Sequence, residues 1–318
     1  MQSVGHILFL VAEGINNMRH PKPNTQNFVT LRANAKINLA LQVVGKRPDG
    51  YHDLRMVMQT LLLHDTIFIK KIDSAHKIKL TSDAHWLPTD KRNLVYRAID
   101  LLQKNYDIPG GVFVEIGKNI PVSAGLGGGS ADCAAALIGM RRLYNLNLPM
   151  AELRQIGKEL GADIPYLLTQ GTAMAEGIGE RITRLTPHPY THVLLAKPKF
   201  SVSTKAVFSR VDMSAIPNHS DKFDQLLHAI DRQNIAHMSK HFFNDLEPIT
   251  ASRYPIIYDI KKAMTDHGAL ASMMSGSGPT VFGYFRSRQQ ANSAARYLRS
   301  QGVRDLHLTG IFNRKPRI

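Results

Sequence analysis

Between Pro121 and Ser130 the chain reads Pro-Val-Ser-Ala-Gly-Leu-Gly-Gly-Gly-Ser. Four glycines fall in the five positions from Gly125 to Gly129. Without side chains there, backbone N–H groups can close on an anion, and a helix starting just beyond adds the positive end of its dipole. A polyphosphate is the natural occupant of such a loop, although glycine density alone also fits a flexible turn. Two familiar phosphate loops are excluded. A Walker A loop needs Lys after its last Gly, whereas Ser130 and Ala131 follow Gly129. The dinucleotide fingerprint needs Gly or Ala in its sixth place, which counted from Gly125 is Ser130.

Four more segments carry side chains able to do chemistry. Gly161-Ala162-Asp163-Ile164-Pro165 sets an Asp among apolar neighbours in a short break between helices, as a helix cap or as a working carboxylate. Lys36 and Asn38 lie on the polar side of an alternating run; an isolated lysine there is ordinarily solvated. Asp49-Gly50-Tyr51-His52 is a turn presenting an aromatic ring and an imidazole, both expected to be exposed. Ser275-Gly276-Ser277-Gly278-Pro279 offers a second anion nest. His237 and His241 stand at i and i+4 on an expected helix, but no third ligand is evident, so a metal site is not assigned. Cys133, among alanines after the glycine loop, reads as a packing residue.

The elements that must position these groups can be read from periodicity. Val29, Leu31, Ala33, Ala35, Ile37, Leu39, Leu41 and Val43 alternate strictly, which predicts a half-buried strand with room for a bend inside it. If the pleat is unbroken from Lys36 to Asn38, both side chains share a face. Residues 66–70, 77–80, 112–116, 193–196, 270–274 and 280–285 read as further strands, and Gly177 and Gly179 punctuate a hairpin. Helices are expected over 94–102 with Asn93 as cap, and over 131–144, 151–160, 222–230, 234–243, 255–267 and 289–300. Strands and helices mix in both halves without regular alternation, so the fold class is α+β. At 318 residues the prior is two domains, set at 31–187 and 188–318. Residues 1–30 read as a mobile N-terminal extension, or as a start codon placed too early with Met18 the next candidate. Their apolar run from Ile7 to Ala12 is preceded by no Lys or Arg and makes a poor signal peptide.

Composition bounds the function. Apolar residues make up 43% and charged residues 20%, enough for a core and against disorder. No apolar run is long enough to span a membrane. One cysteine permits neither an intrachain disulfide nor a cysteine-based zinc site and fits a reducing, cytoplasmic setting. The net charge of +15 favours anionic partners. Eight Lys and Arg crowd into residues 286–318 against Asp305 alone. Yet the basic residues are not interleaved with aromatics in any recognised nucleic-acid motif, which leaves a nucleic-acid-binding protein as the non-enzyme alternative.

Taken in order and at their spacings, Ala35–Leu39, Pro48–His52, Gly125–Ser130, Gly161–Pro165 and Ser275–Pro279 resemble the GHMP kinase superfamily, from about Leu31 to Phe312. The resemblance implies two α+β domains with the active site in the cleft between them. It implies an ATP-dependent phosphotransferase with Mg²⁺ expected. Lys36 and Asp163 would be the catalytic pair. Pro121, Val122, Ser123, Ala124, Gly125, Leu126, Gly127, Gly128, Gly129, Ser130 and Ala131 would wrap the ATP phosphates. The Asp49–His52 turn points to the branch whose acceptor is a methylerythritol unit linked to cytidine diphosphate, phosphorylated on its C2 hydroxyl in the non-mevalonate route to isoprenoid precursors. In that branch Asn38, Tyr51, His52, Thr204, Phe208, Gly276 and Ser277 would contact the acceptor, with Tyr51 on one face of the cytosine and Phe208 on the other. Homoserine- or mevalonate-type kinases are the alternatives within the superfamily. Small-molecule substrates, neither nucleic acid nor membrane, and a monomer or weak dimer complete the expectation. The resemblance names no magnesium ligands beyond Ser130 as a candidate.

Overall fold

The structure, a computed structural model, describes residues 26–74 and 77–313. The expected N-terminal extension thus lies largely outside the described residues. Its last three positions belong to the first strand.

That strand, β1 (Phe28–Lys46), folds back through the Pro48–Gly50 turn onto β2 (His52–Ile72) as a long antiparallel hairpin. The apolar face of β1 is buried as expected, at Leu31, Ala33, Ala35, Ile37, Leu39, Leu41 and Val43. The strand is not half-buried, however: Asn34, Lys36, Asn38 and Gln42 on the other face are buried too, because the sheet is covered on both sides there. Register shifts fall between Asn34 and Lys36 and between Asn38 and Ala40. Such bulges re-aim side chains, and these two bracket the segment that carries Lys36 and Asn38. β2 is far longer than the strand expected over 66–70. Its first half runs Met56 to Leu61 with every residue buried, so no alternation marks it.

β3 (Ile78–Ser82) follows. Then α1 (Leu94–Asn105) starts where Asn93 accepts the Val95 N–H at 2.9 Å. β4 (Gly111–Gly117) leads through residues 118–127 into α2 (Gly128–Leu143), α3 (Met150–Leu160) and the short α4 (Ile164–Thr169). α2 opens three residues before the expected start, so the last glycines of the loop form its first turn. Small residues let α2 sit close to the hairpin: a Cβ on Gly139 would come within 2.6 Å of Ile69 Cδ1. β5 (Thr172–Gly177) and β6 (Arg181–Arg184) form the hairpin signalled by Gly177 and Gly179.

In the second half come β7 (His192–Lys197), α5 (Thr204–Phe208), α6 (Ser220–Asp231), α7 (Ile235–Lys240), β8 (Phe243–Asn244) and α8 (Glu247–Arg253). After them come α9 (Ile256–Asp266), β9 (Ala269–Met274), β10 (Val281–Phe285), α10 (Arg288–Ser300) and β11 (Asp305–Gly310). The helix expected over 234–243 stops at Lys240, because Phe243 and Asn244 pair in parallel with Ala40 and Leu41. The first sheet has the order β3-β4-β2-β1-β8, with β5 on β2 and β6 on β5. It therefore takes one strand from beyond residue 187. The second sheet, β11-β7-β10-β9, is antiparallel throughout. Strands and helices mix without regular alternation, and the α+β expectation is borne out.

Candidate active site

Lys36 is the first side chain to place. Its strand is bulged on both sides, and its backbone N–H donates to Leu126 O at 3.0 Å, tying β1 to the glycine loop. Lys36 is 4% exposed rather than solvated, and its ammonium donates to Asn38 Oδ1 at 2.9 Å. So the two side chains do share a face, and both are buried. Asp163 Oδ2 stands 3.6 Å from Lys36 Nζ.

Asp163 occupies the cap position of α4 yet makes no side-chain capping bond. Its carboxylate is left to Lys36 and the cleft. α3 ends at Gly161, and Ile164 N–H donates to Gly161 O at 3.2 Å, forming the tight break that brings Asp163 forward. Asp163 is about one-third exposed, on the cavity it lines, while Lys36 is buried.

The glycine loop lies across the same space. Gly125 adopts φ +75°, and a Cβ there would lie 2.1 Å from Ser275 O, so no side chain fits. Ser275 Oγ donates to Gly125 O at 3.0 Å and Thr280 N–H to Ala124 O at 3.4 Å. The 275–279 turn and the loop are thus clamped together. Gly127 caps α2 with left-handed backbone, and Ala131 N–H donates to Gly127 O at 2.8 Å as the first helical bond. The N–H groups of Gly128, Gly129 and Ser130 have no acceptor within the helix, and they sit at the positive end of a 16-residue dipole.

These groups surround one cavity of about 530 Å³, whose lining includes Lys36, Asn38, Asp163, Thr204, Phe208, Gly276 and Ser277. Pro121 to Gly125 and Gly127 to Ser130 line it as well. Leu126 and Ala131 are buried behind it. Thr204 and Ser277 hydroxyls meet at 2.8 Å, which joins α5 to the 275–279 turn. Asn244 Nδ2 donates to Met274 O and Gly276 O at 2.8 Å each and braces that turn from behind.

The Asp49–His52 turn differs from its expected form. Asp49 Oδ1 accepts the Tyr51 N–H at 3.0 Å, an Asx turn that throws the Tyr51 ring outward to 61% exposure, away from the cavity lining. His52 is buried instead, its ring 5.4 Å from that of Phe208 and tilted by 31°, and it too lies outside the cavity lining. The ring beside Phe208 is therefore His52 and not Tyr51, and at this separation the two rings pack on each other. Burial and the nearby Lys46 hold the His52 pKa below the ordinary imidazole value, which favours the neutral ring. Its Nε2 has no hydrogen-bond partner among the described residues.

Sequence reading missed part of the cavity wall. Leu87, Pro88, Asn93, Leu94, Lys118 and Asp132 also line it. Lys118 bridges Asp65 and Asp132, with its Nζ 2.9 Å from Asp132 Oδ2. Asp65 Oδ1 also accepts the N–H groups of Asn119 and Ile120, at 2.6 and 2.8 Å. Burial first, then the Asp65 charge, push the Asp132 carboxyl up to about 8 against the opposing pull of Lys118. The available signal was a lysine three residues before Pro121 and a lone acid four residues into an alanine-rich helix.

The glycines invite a direct test. A Cβ on Gly128 would face Ile120 Cγ2 at 3.1 Å, whereas one on Gly129 meets no protein atom within 4 Å. Gly129→Val therefore puts its bulk into the cavity and not into the protein. ATP affinity should fall at least about tenfold, about 1.4 kcal/mol. Calorimetry showing unchanged nucleotide affinity in the folded variant would remove the loop from the phosphate site.

A GHMP-type small-molecule kinase is the class this fold defines. The GHMP kinases N terminal domain model matches residues 93–171, and the GHMP kinases C terminal model matches residues 225–304. A 4-diphosphocytidyl-2-C-methyl-D-erythritol kinase from Lachnospira eligens is 47% identical over 285 residues, covering 89% of this chain and 98% of that protein. One from Clostridium botulinum is 44% identical over 281 residues, covering 88% and 99%. A crystal structure of 4-(cytidine 5'-diphospho)-2C-methyl-D-erythritol kinase superposes with TM-score 0.77 at 29% identity, covering 90% of this chain and all of that one. The homoserine kinase from Cytophaga hutchinsonii shares the fold, with TM-score 0.74 at 18% identity, covering 92% and 98%. The chain belongs to the 4-diphosphocytidyl-2-C-methyl-D-erythritol kinase family of the GHMP kinases. Among the described residues no helix is long and apolar enough to cross a membrane.

Proposed function

We propose that this chain transfers the γ-phosphoryl group of ATP to the C2 hydroxyl of 4-diphosphocytidyl-2-C-methyl-D-erythritol, in the non-mevalonate route to isoprenoid precursors. The observation that carries the chemistry is the Lys36–Asp163 pair, 3.6 Å apart beside the opening of α2. Phosphoryl transfer asks the protein for positioning and charge neutralisation. The N–H groups of Gly128 to Ser130 hold the phosphates. Lys36, aimed by Asn38, neutralises charge on the transferring group. Asp163 accepts the proton of the attacking hydroxyl.

Magnesium fits this site as a nucleotide-borne ion. No group of three or more His, Cys, Asp or Glu that could cage a metal exists among the described residues. The Ser130 hydroxyl lines the cavity beside the phosphate-binding N–H groups and would hold the ion together with the nucleotide's own oxygens. When bound, the ion neutralises charge on the β- and γ-phosphoryl oxygens. The apolar Leu87, Pro88 and Leu94 suit the base of ATP.

His52 and Phe208 are assigned to the cytidine. His52 brings a buried Nε2 without partner, and Phe208 brings a π face. Turnover of the cytidyl acceptor should exceed that of homoserine and mevalonate in one coupled assay, and faster homoserine or mevalonate turnover would overturn the acceptor assignment. In the same assay His52→Ala should lose about 1–3 kcal/mol in kcat/KM for the cytidyl acceptor, the cost of leaving a polar partner unpaired. The KM for ATP should hold. An equal loss on free methylerythritol would take His52 out of cytidine recognition.

A further inference from the structure

Behind the Ser275–Pro279 turn lies a second cavity, of about 590 Å³. β8 separates it from the cleft. Leu246 faces the active site, while Phe243, Asn244 and Asp245 line the cavity behind. Its wall is apolar where Phe242, Phe243, Ile249 and Met273 face it.

The ionisable groups around it are unequally committed. Glu247 is held by Lys261 and by the Met274 N–H at 2.7 Å. Asp245 accepts the Val43 N–H at 2.8 Å and lies 3.4 Å from His219 Nε2. Asp212 takes the Ser214 N–H at 3.0 Å and its hydroxyl at 2.7 Å. Asp245 Oδ1 has no hydrogen-bond partner among the described residues, but otherwise the acids are engaged within the protein. Two cations are not: among the described residues, no carboxylate lies within ion-pair distance of Lys222 or Arg210. Lys222 is half-buried, 5.6 Å from the Phe243 ring centroid. Burial, then Lys261, lower its pKa from the ordinary lysine value. Three Lys and Arg side chains and three carboxylates line this pocket, and two of the cations lack an anion.

We propose that this cavity is a second ligand site, taking the phosphoryl group of a small phosphate ester on Lys222 and Arg210 and its apolar body on Phe242, Phe243 and Met273. An unpaired, partly desolvated ammonium gains most from a bound anion, and an apolar wall beside it selects an ester over the free ion. The bound molecule would sit against Asn244, which holds the Met274 and Gly276 carbonyls of the active-site turn.

Phenyl phosphate is a suitable probe, titrated by calorimetry into the full chain with a non-hydrolysable ATP analogue and the cytidyl acceptor filling the cleft. One further equivalent should bind, at least tenfold tighter than inorganic phosphate. Lys222→Met should weaken it at least tenfold without lowering the thermal midpoint, because the variant removes a cation that burial already disfavours. Absence of a further equivalent, equal affinity for inorganic phosphate, or unchanged affinity in a folded Lys222→Met would each overturn the proposal.

Discussion

Asp163→Asn should lower kcat by about 10²–10⁴-fold, the range of a positioned proton acceptor. The amide keeps the size of the carboxylate and its contact with the cleft, but it cannot take the hydroxyl proton and no longer balances the charge on Lys36. Because Asp163 makes no capping bond to α4, the substitution leaves the helix start as it is. The glycine loop is braced by Ser275, Thr280 and Lys36 N–H, none of which involves Asp163, so ATP affinity should be unchanged. Single-turnover kinetics separates the two readouts. Wild-type turnover in the variant would refute the assignment. A matching loss of ATP affinity would show that Asp163 acts through the nucleotide site.

Much of this site was legible because its parts are local. The alternation of β1 put Lys36 and Asn38 on one face, and the bulges that flank them preserve that relation. The glycine run could only be a turn or a phosphate loop, and its place at the start of a helix was readable from the alanines that follow. The break holding Asp163 was visible as Gly161 and Pro165 around it. What stayed hidden is non-local. β2 from Met56 to Leu61 is covered on both faces, so its pattern carries no period. β8 exists only because Phe243 and Asn244 meet Ala40 and Leu41 some two hundred residues away. Tyr51 and His52 read as two exposed rings on a turn. The Asx bond from Asp49 and the position of Phe208 send one outward and the other in, and only the folded chain sets the second of these.

Lys118 illustrates the same limit with a larger energetic consequence. From the sequence it is one of 40 basic residues. In the fold it is the cation between Asp65 and Asp132, all three nearly excluded from water. Lys118→Met should destabilise the protein by about 3–5 kcal/mol near pH 8, the usual cost of stranding buried charge by removing one partner. The loss should grow as the pH rises above about 8. Asp132 binds its proton more tightly folded, near pH 8, than unfolded, near 3.8. Its contribution to stability is therefore complete below about pH 4 and is lost as the pH rises through about 8. Removing Lys118 takes away the charge that opposes this shift and raises the folded value further. Below about pH 8 both folded proteins keep the Asp132 proton and the difference between them holds steady. Above it the wild type releases the proton while the variant keeps it, so the variant goes on losing stability. Lys118→Met/Asp132→Asn should recover part of the stability at about pH 7 and above, because the amide needs no proton and Asp65 keeps the Asn119 and Ile120 N–H donors. Urea unfolding of the three proteins at about pH 7 and about pH 9.5 measures this. A loss independent of pH, or a double variant no more stable than Lys118→Met, would show that Lys118 supports the fold through packing and not through its charge.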